Sequence, residues 1–186
     1  MRSLLALAAL PALAAASPSY HYQLDGARSQ VSAKVSYMGL GSKTARFPAM
    51  RGAIRIVPDH LEEIDLDVVL DAAQMTAGSN SDTAYLRGPD FFDVAHFPAV
   101  SFSGHRMTMT GPTAARIEGQ ITARGVTRPC TLVVTFRDPP AQISGRAPIE
   151  LTGVAAINRR EFGMTAYPMV VGKKVTITIT ARLVPG

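Results

Sequence analysis

Eight stretches of this chain alternate apolar and polar residues with a period of two, and that repetition restricts the fold more than any other feature of the sequence. Successive side chains on a strand point to opposite faces, so each such run presents one apolar and one polar face. The runs cover residues 30–37, 44–57, 61–71, 99–110, 114–123, 126–137, 147–158 and 174–184. In the third, Ile64, Leu66, Val68 and Leu70 oppose Asp65, Asp67 and Asp71; in the fifth, Ala115, Ile117, Gly119, Ile121 and Ala123 oppose Arg116, Glu118, Gln120 and Thr122. Pro58-Asp59, Gly111-Pro112, Arg124-Gly125 and Asp138-Pro139-Pro140 separate consecutive runs with turn chemistry, so neighbours are expected to pair as antiparallel hairpins.

Eight half-buried antiparallel strands either close into a barrel or stack as a sandwich. Their apolar faces hold many small residues, namely Ala33, Gly52, Gly104, Ala115, Gly119, Ala123, Gly153, Ala155 and Ala181. Large and small inward positions in alternation suit a closed barrel, so an all-β, eight-stranded antiparallel barrel is expected. Its interior is either filled, with the small residues easing close packing, or left as a channel with apolar walls.

Only one connection is long, from Ala72 to Pro98, and it holds the single expected helix. Ser79 supplies an N-cap with Asp82 three residues on, and Gly88-Pro89 ends the helix after Leu86. Asn158-Arg159-Arg160-Glu161-Phe162-Gly163 repeats the pattern as one short helical turn, with an Asn cap and a terminating Gly. After the helix comes Asp90-Phe91-Phe92-Asp93-Val94-Ala95-His96-Phe97-Pro98. Leaving both phenylalanines in water would forfeit about 2 kcal/mol each, so at least one is expected to point inward.

Asp90, Asp93 and His96 have the composition of an acid–base cluster or a metal site. Aspartates in a turn more commonly accept backbone N–H bonds, and that structural reading is preferred. His21, His60, His96 and His105 lack metal-ligand spacing. Gly78-Ser79-Asn80 is no nucleophile elbow, and no glycine loop for phosphate opens a helix. No catalytic residue, metal or covalent cofactor is assigned.

The chain opens with Arg2, an apolar stretch from Leu4 to Leu13, and Ala14-Ala15-Ala16. This is the layout of an export signal; cleavage is expected after Ala16, leaving one domain over 17–186 outside the cytoplasm. Without Arg2 the chain holds 18 basic and 14 acidic residues, a net charge of +4. The arginines are scattered, so no nucleic-acid footprint is read; a mildly basic exported protein could instead touch an anionic membrane surface. The chain has one cysteine, Cys130, so an intrachain disulfide is excluded; it lies on an apolar parity and is expected as a buried thiol.

Several motifs in order resemble the YceI family, also called polyisoprenoid-binding proteins. They are Leu24-Asp25, Met38-Gly39, Leu86-Arg87 through Asp90-Phe91-Phe92-Asp93 to Phe97-Pro98 and Phe102, then Gly125-Val126-Thr127-Arg128-Pro129, and Asn158 through Gly163. The resemblance implies a lipocalin-like extended barrel with a helix over one end, holding an isoprenoid quinone or polyprenyl chain, with export to the periplasm and frequent dimerisation. It implies no catalytic residues. The chain departs from the family where an Arg-Asp-x-His is common and Asp82-Thr83-Ala84-Tyr85 stands, where a His is common and Tyr37 stands, and at Ala27-Arg28-Ser29. Tyr37 and Tyr85 could replace the lost imidazoles as hydroxyl donors.

The expected function is thus a non-catalytic carrier of a long isoprenoid lipid. Ligand contacts are expected at Val35, Tyr37, Ile54, Ile56, Leu66, Val68, Tyr85, Leu86, Phe91, Phe92, Phe102, Ile121, Leu151, Phe162 and Met164. Two alternatives stand beside it: a periplasmic hydrolase or isomerase using Asp90, Asp93 and His96, and a filled barrel that acts through its outer face.

Overall fold

A computed structural model describes residues 17–186; the expected export signal, residues 1–16, lies outside the described residues. Ten strand segments follow the chain: β1 (Tyr20–Leu24), β2 (Gln30–Tyr37), β3 (Gly41–Phe47), β4 (Met50–Ile56), β5 (Glu63–Asp71), β6 (Ala99–Met109), β7 (Ala114–Ala123), β8 (Val126–Phe136), β9 (Ile149–Asn158) and β10 (Val171–Pro185). They make eight strands. β1 and β2 are one strand interrupted by the 3₁₀ turn Gly26–Arg28, and β3 and β4 one strand interrupted at Pro48, because β2 pairs β3 and β1 pairs β4 as a single long antiparallel hairpin. Proline has no N–H to give a ladder, which accounts for the break at Pro48.

From that hairpin the sheet runs through β5, β6, β7, β8 and β9 to β10, every neighbour antiparallel. β10 closes the barrel, pairing β2 from Val171 to Thr180 and β1 from Leu183 to Pro185. The eight-stranded antiparallel barrel expected from the alternation is therefore the observed fold. Three strand starts come earlier than in the sequence reading. The first strand begins ten residues earlier, at Tyr20 instead of Gln30, the second at Gly41 instead of Thr44, and the last at Val171 instead of Lys174. The first of these was hidden because Asp25–Ser29 interrupts the alternation.

Inward parity holds within the runs except at two places: it shifts by one at Pro48, where Ala45 and Phe47 give way to Ile54 and Ile56, and at the bulge between Gly104 and Arg106 in β6, beyond which Met107 faces in. Ile54, Ile56, Ile64, Leu66, Ala115, Ile117, Ile121 and Ala123 are buried, while Arg116, Glu118 and Gln120 face out. At one end the barrel is solid: Tyr22, Ile56, Ile64, Met107 and Ala115 are each 2 % exposed or less. The other end gathers the β2–β3 turn, the connection between β5 and β6, the β7–β8 turn and the connection between β9 and β10. We refer to it as the lid end.

Helix α1 (Asn80–Arg87) lies in the connection between β5 and β6. The Ser79 side chain caps it by accepting from Asp82 N at 3.1 Å. Gly88 ends it in extended geometry (φ −73°, ψ 173°), the conformation favoured before a proline, here Pro89. Beyond Met50, the edge of β3 faces this connection and not a strand, joined to it by reciprocal backbone bonds between Arg46 and Thr76 (2.8 and 2.9 Å). The 3₁₀ turn Arg159–Phe162 follows β9 as expected, capped by Asn158 Oδ1 and closed by Gly163 at φ +77°, a left-handed conformation that glycine adopts without strain.

Candidate functional site

Between the solid end and α1 the barrel encloses a cavity of about 190 Å³, room for several waters. All eight strands contribute wall. Ile54, Leu66, Phe102, Ile117, Leu132 and Ile177 are typical of it. The polar residues that reach it are Ser29, Lys43, Ser101, Arg159 and Thr180. Three of these are engaged elsewhere: Ser29 Oγ accepts from Arg182 N (3.1 Å), Lys43 donates to Asp82, and Arg159 donates to backbone carbonyls. Water in such a space finds few partners, which favours an apolar occupant.

The small inward residues are found both in the cavity wall and away from it, where Gly52, Ala115 and Gly153 stand. Ala33, Ala45, Ala123, Ala155 and Ala181 line the open space. Gly104 and Gly119 do not; they make room for the Phe102 ring. A Cβ on Gly119 would stand 2.2 Å from Ser103 O and 2.8 Å from Phe102 Cζ, and one on Gly104 would stand 2.8 Å from Ile117 Cγ2 and 3.1 Å from Phe102 Cε1. Both sequence readings of the small-residue pattern therefore apply, each to a different layer of the barrel.

The lid end is built on aromatic and charged contacts. Phe91 (8 % exposed) and Phe92 both line the cavity. Phe92 meets Phe47 edge-on with centroids 5.9 Å apart, and Phe91 stacks on Tyr167 at 6.1 Å. Arg159 is 2 % exposed at the end of β9. Its guanidinium donates to the carbonyls of Gly172 (2.9 Å), Ala166 (2.8 Å), Val171 (2.8 Å) and Met164, holding the connection between β9 and β10 in place. Burial, with the neighbouring charge of Arg160, lowers the Arg159 pKa from its ordinary value.

Across the cavity, Lys43 Nζ on β3 donates to both carboxylate oxygens of Asp82 on α1, at 2.8 and 3.0 Å. That hydrogen bond raises the Lys43 pKa and lowers that of Asp82. Cys130, 9 % exposed, lies in the wall as the expected buried thiol, and burial raises its pKa.

Of the residues singled out from the sequence, Val35, Ile54, Leu66, Val68, Leu86, Phe91, Phe92, Phe102, Ile121, Leu151 and Met164 line this cavity. Four stand elsewhere. Ile56, fully buried, belongs to the solid end, and Phe162 (1 % exposed) is buried in the 3₁₀ turn that packs against β8 and β10. β8 pairs β9 only from Val133 to Phe136, and this turn packs beside the diverging half. Tyr37 sits beneath Lys43 Nζ, 5.0 Å from its ring centroid, and Tyr85 is 61 % exposed on α1. Neither tyrosine takes the place within the wall that a head-group donor would need. Parity signalled the missed wall residues Val31, Ala33 and Ile179; nothing in the local sequence marked Lys43 or Arg159.

The Asp90, Asp93 and His96 turn lies outside the cavity wall. His96 Nδ1 is 2.9 Å from Asp93 Oδ1 with the imidazole largely in solvent, and Asp93 O accepts from the backbone of His96 and Phe97. Among the described residues no group of three or more His, Cys, Asp or Glu side chains is placed to hold a metal ion.

Comparisons with known proteins agree with this architecture. Curated relatives include a UPF0312 protein of Pseudomonas savastanoi pv. phaseolicola, 26 % identical over 88 % of this chain and 87 % of its own length. A UPF0312 protein of Vibrio parahaemolyticus is 24 % identical over 71 % of this chain and 70 % of its own. Among solved structures, BcnA of Burkholderia cenocepacia superposes with a TM-score of 0.75 at 21 % identity, covering 86 % of this chain and 98 % of that one. A domain from Saccharophagus degradans described as polyisoprenoid binding superposes with a TM-score of 0.68 at 12 % identity, covering 89 % and 98 %. The profile of the YceI-like domain matches residues 22–183, nearly the whole barrel, and the chain belongs to that family.

Proposed function

We propose that this protein is an exported, non-catalytic carrier that encloses a long isoprenoid lipid in the barrel. The observation that carries the reading is the cavity itself: space inside the barrel, walled almost wholly by aliphatic and aromatic side chains whose few polar neighbours are mostly engaged. Each CH₂ moved from water into such a wall contributes about 0.8 kcal/mol, so several isoprene units offset the ordering cost of a flexible chain. The description of the Saccharophagus relative as a polyisoprenoid-binding domain supports the same ligand class. The signal-like first sixteen residues support export to the periplasm.

Organic extraction of the purified protein followed by mass spectrometry tests the reading; an isoprenoid quinone or polyprenyl species should be recovered. Ala155→Phe, which places a ring in the cavity, should keep the barrel folded and lose that species. Repeated extraction without lipid, together with no rise in Tm on adding an isoprenoid quinone, would overturn it.

A further inference from the structure

The lid end carries a feature that cavity binding does not use. Seven large apolar residues are exposed among the described residues, and five belong to this end: Met38 (64 %), Leu40 (100 %), Tyr85 (61 %), Tyr167 (48 %) and Met169 (94 %). The other two, Val133 and Val154, face each other across β8 and β9 on the side of the barrel. Met38 and Leu40 are in the β2–β3 turn, and Tyr167 and Met169 in the connection between β9 and β10. Met38 N donates to Val170 O at 2.8 Å, so these two apolar loops form one tip. Solvent-facing Leu and Met at the apex of adjacent loops cost burial that a folded chain normally recovers.

Charge follows the same polarity. The four connections at this end with their flanking residues, 36–43, 71–99, 122–128 and 158–176, hold eight basic residues and five acidic ones, a net +3. Residues 17–186 together hold 18 and 14, a net +4, so the rest of the barrel, with ten basic and nine acidic residues, carries only +1. Lys43 and Asp82 pair with each other and Arg159 is buried, while Glu161 accepts from Asn158 Nδ2 at 3.0 Å. Lys173 and Lys174 are exposed and follow the Met169 loop directly.

An apolar tip set among cations is the pattern that binds an anionic bilayer, where shallow insertion and attraction to the surface potential act together and neither suffices alone. We infer that the lid end docks onto an anionic lipid membrane, inserting Met38, Leu40 and Met169 between headgroups while Lys173 and Lys174 contact them. Lys43, half-exposed beside the same turn, also reaches the cavity wall, so the docked face adjoins the barrel interior. The inference stands on the outer surface and does not depend on what the cavity holds.

Flotation with vesicles tests it. The protein should float with vesicles of phosphatidylcholine mixed with phosphatidylglycerol, stay behind with phosphatidylcholine alone, and be released by roughly 0.5 M salt. The double variants L40S/M169S and K173A/K174A should each weaken binding about tenfold. Val133→Thr, which removes an exposed apolar residue from the side of the barrel, should bind as the wild type. All these positions are exposed, and circular dichroism verifies the fold of each variant. Failure of the wild type to float at low salt, equal binding to neutral vesicles, or unchanged binding by both double variants would overturn the inference. So would a concentration-dependent dimer, seen by sedimentation without vesicles and abolished by L40S/M169S, if vesicle binding is absent; the tip would then belong to a second copy of the chain.

Discussion

The guanidinium of Arg159 lies 5.9 Å from the centroid of the Phe91 ring, so a buried cation at the end of β9 sits against an aromatic side chain supplied by the connection between β5 and β6. Phe91 in turn stacks on Tyr167. The β5–β6 and β9–β10 connections are fixed to one another through these contacts. The cation–π contact adds to the hydrogen bonds that Arg159 makes to four carbonyls.

Arg159→Met should therefore be among the most destabilising single changes in the barrel. It leaves several buried carbonyls without donors, each costing about 1–3 kcal/mol, and a total loss of at least about 3 kcal/mol is expected. Arg159→Lys should recover little, since an ammonium cannot span carbonyls arranged around a planar fork. Urea midpoints measure both; a lysine variant as stable as the wild type would show that charge, and not the fork, matters.

The Lys43–Asp82 pair should act as a pH-dependent latch between β3 and α1. Asp82 is held below its usual 3.8, so its contribution is complete above that value and is lost as pH falls through the lower, folded-state pKa. Lys43 is raised above its usual 10.5, so its contribution is present below that value and is lost as pH rises through the folded-state pKa. Hydrogen exchange of the α1 amides should quicken at both extremes in the wild type and lose both steps in Asp82→Asn. Identical pH profiles would dissociate the pair from the helix.

Gly119→Ala should destabilise the barrel by about 1–3 kcal/mol, because its Cβ meets the backbone oxygen of Ser103 as well as the Phe102 ring. Ala123→Gly, four residues along the strand on the same face, removes a wall methyl and should cost less than Gly119→Ala. Thermal melts compare the two; the reverse order would refute the division between packing glycines and wall alanines.

Cys130 offers a reporter inside the cavity wall. Burial raises its pKa, so the thiolate is scarce near neutral pH and alkylation should be slow, accelerating only above the pH at which a free thiol reacts. The sign for stability follows: the unfolded thiol ionises first, so stability falls as pH rises past its ordinary value. A bound apolar chain should slow alkylation further. Mass spectrometry of N-ethylmaleimide adducts, with and without added isoprenoid quinone, would reveal the protection, and rates unaffected by quinone would count against occupancy beside Cys130.

Much of this arrangement was legible in advance because it is encoded locally. Strand alternation identifies which residue faces in, so Ile54, Leu66, Phe102 and Ile121 could be assigned to the interior without knowing their neighbours. Caps are local too: Ser79 and Asn158 bond within a few residues of themselves. Parity gives no depth along the barrel axis, however. Ile54 and Ile56 have the same parity and neighbouring positions, yet one lines the cavity and the other closes the solid end. Tyr37 and Tyr85, chosen as replacements for family imidazoles, fell outside the wall for a related reason: a side chain at a strand end or on a helix is directed by what packs against it, not by its spacing in the chain.

By itself, then, the sequence determined the strand count, most of the inward faces, the helix and its caps, and the family, since each depends on residue types at short fixed spacings; the parity shift at the β6 bulge was decided by the structure. Tertiary structure alone decided where the interior is full and where it is open. Gly104 and Gly119 make room for the Phe102 ring, whereas Ala33 and Ala155 line the cavity, because the register of β6 against β7 sets the first and closure by β10 the second. Lys43 meets Asp82 thirty-nine residues away, and Arg159 meets Phe91 across the lid end. Such partners are brought together only by long-range pairing, which no local pattern in the chain contains.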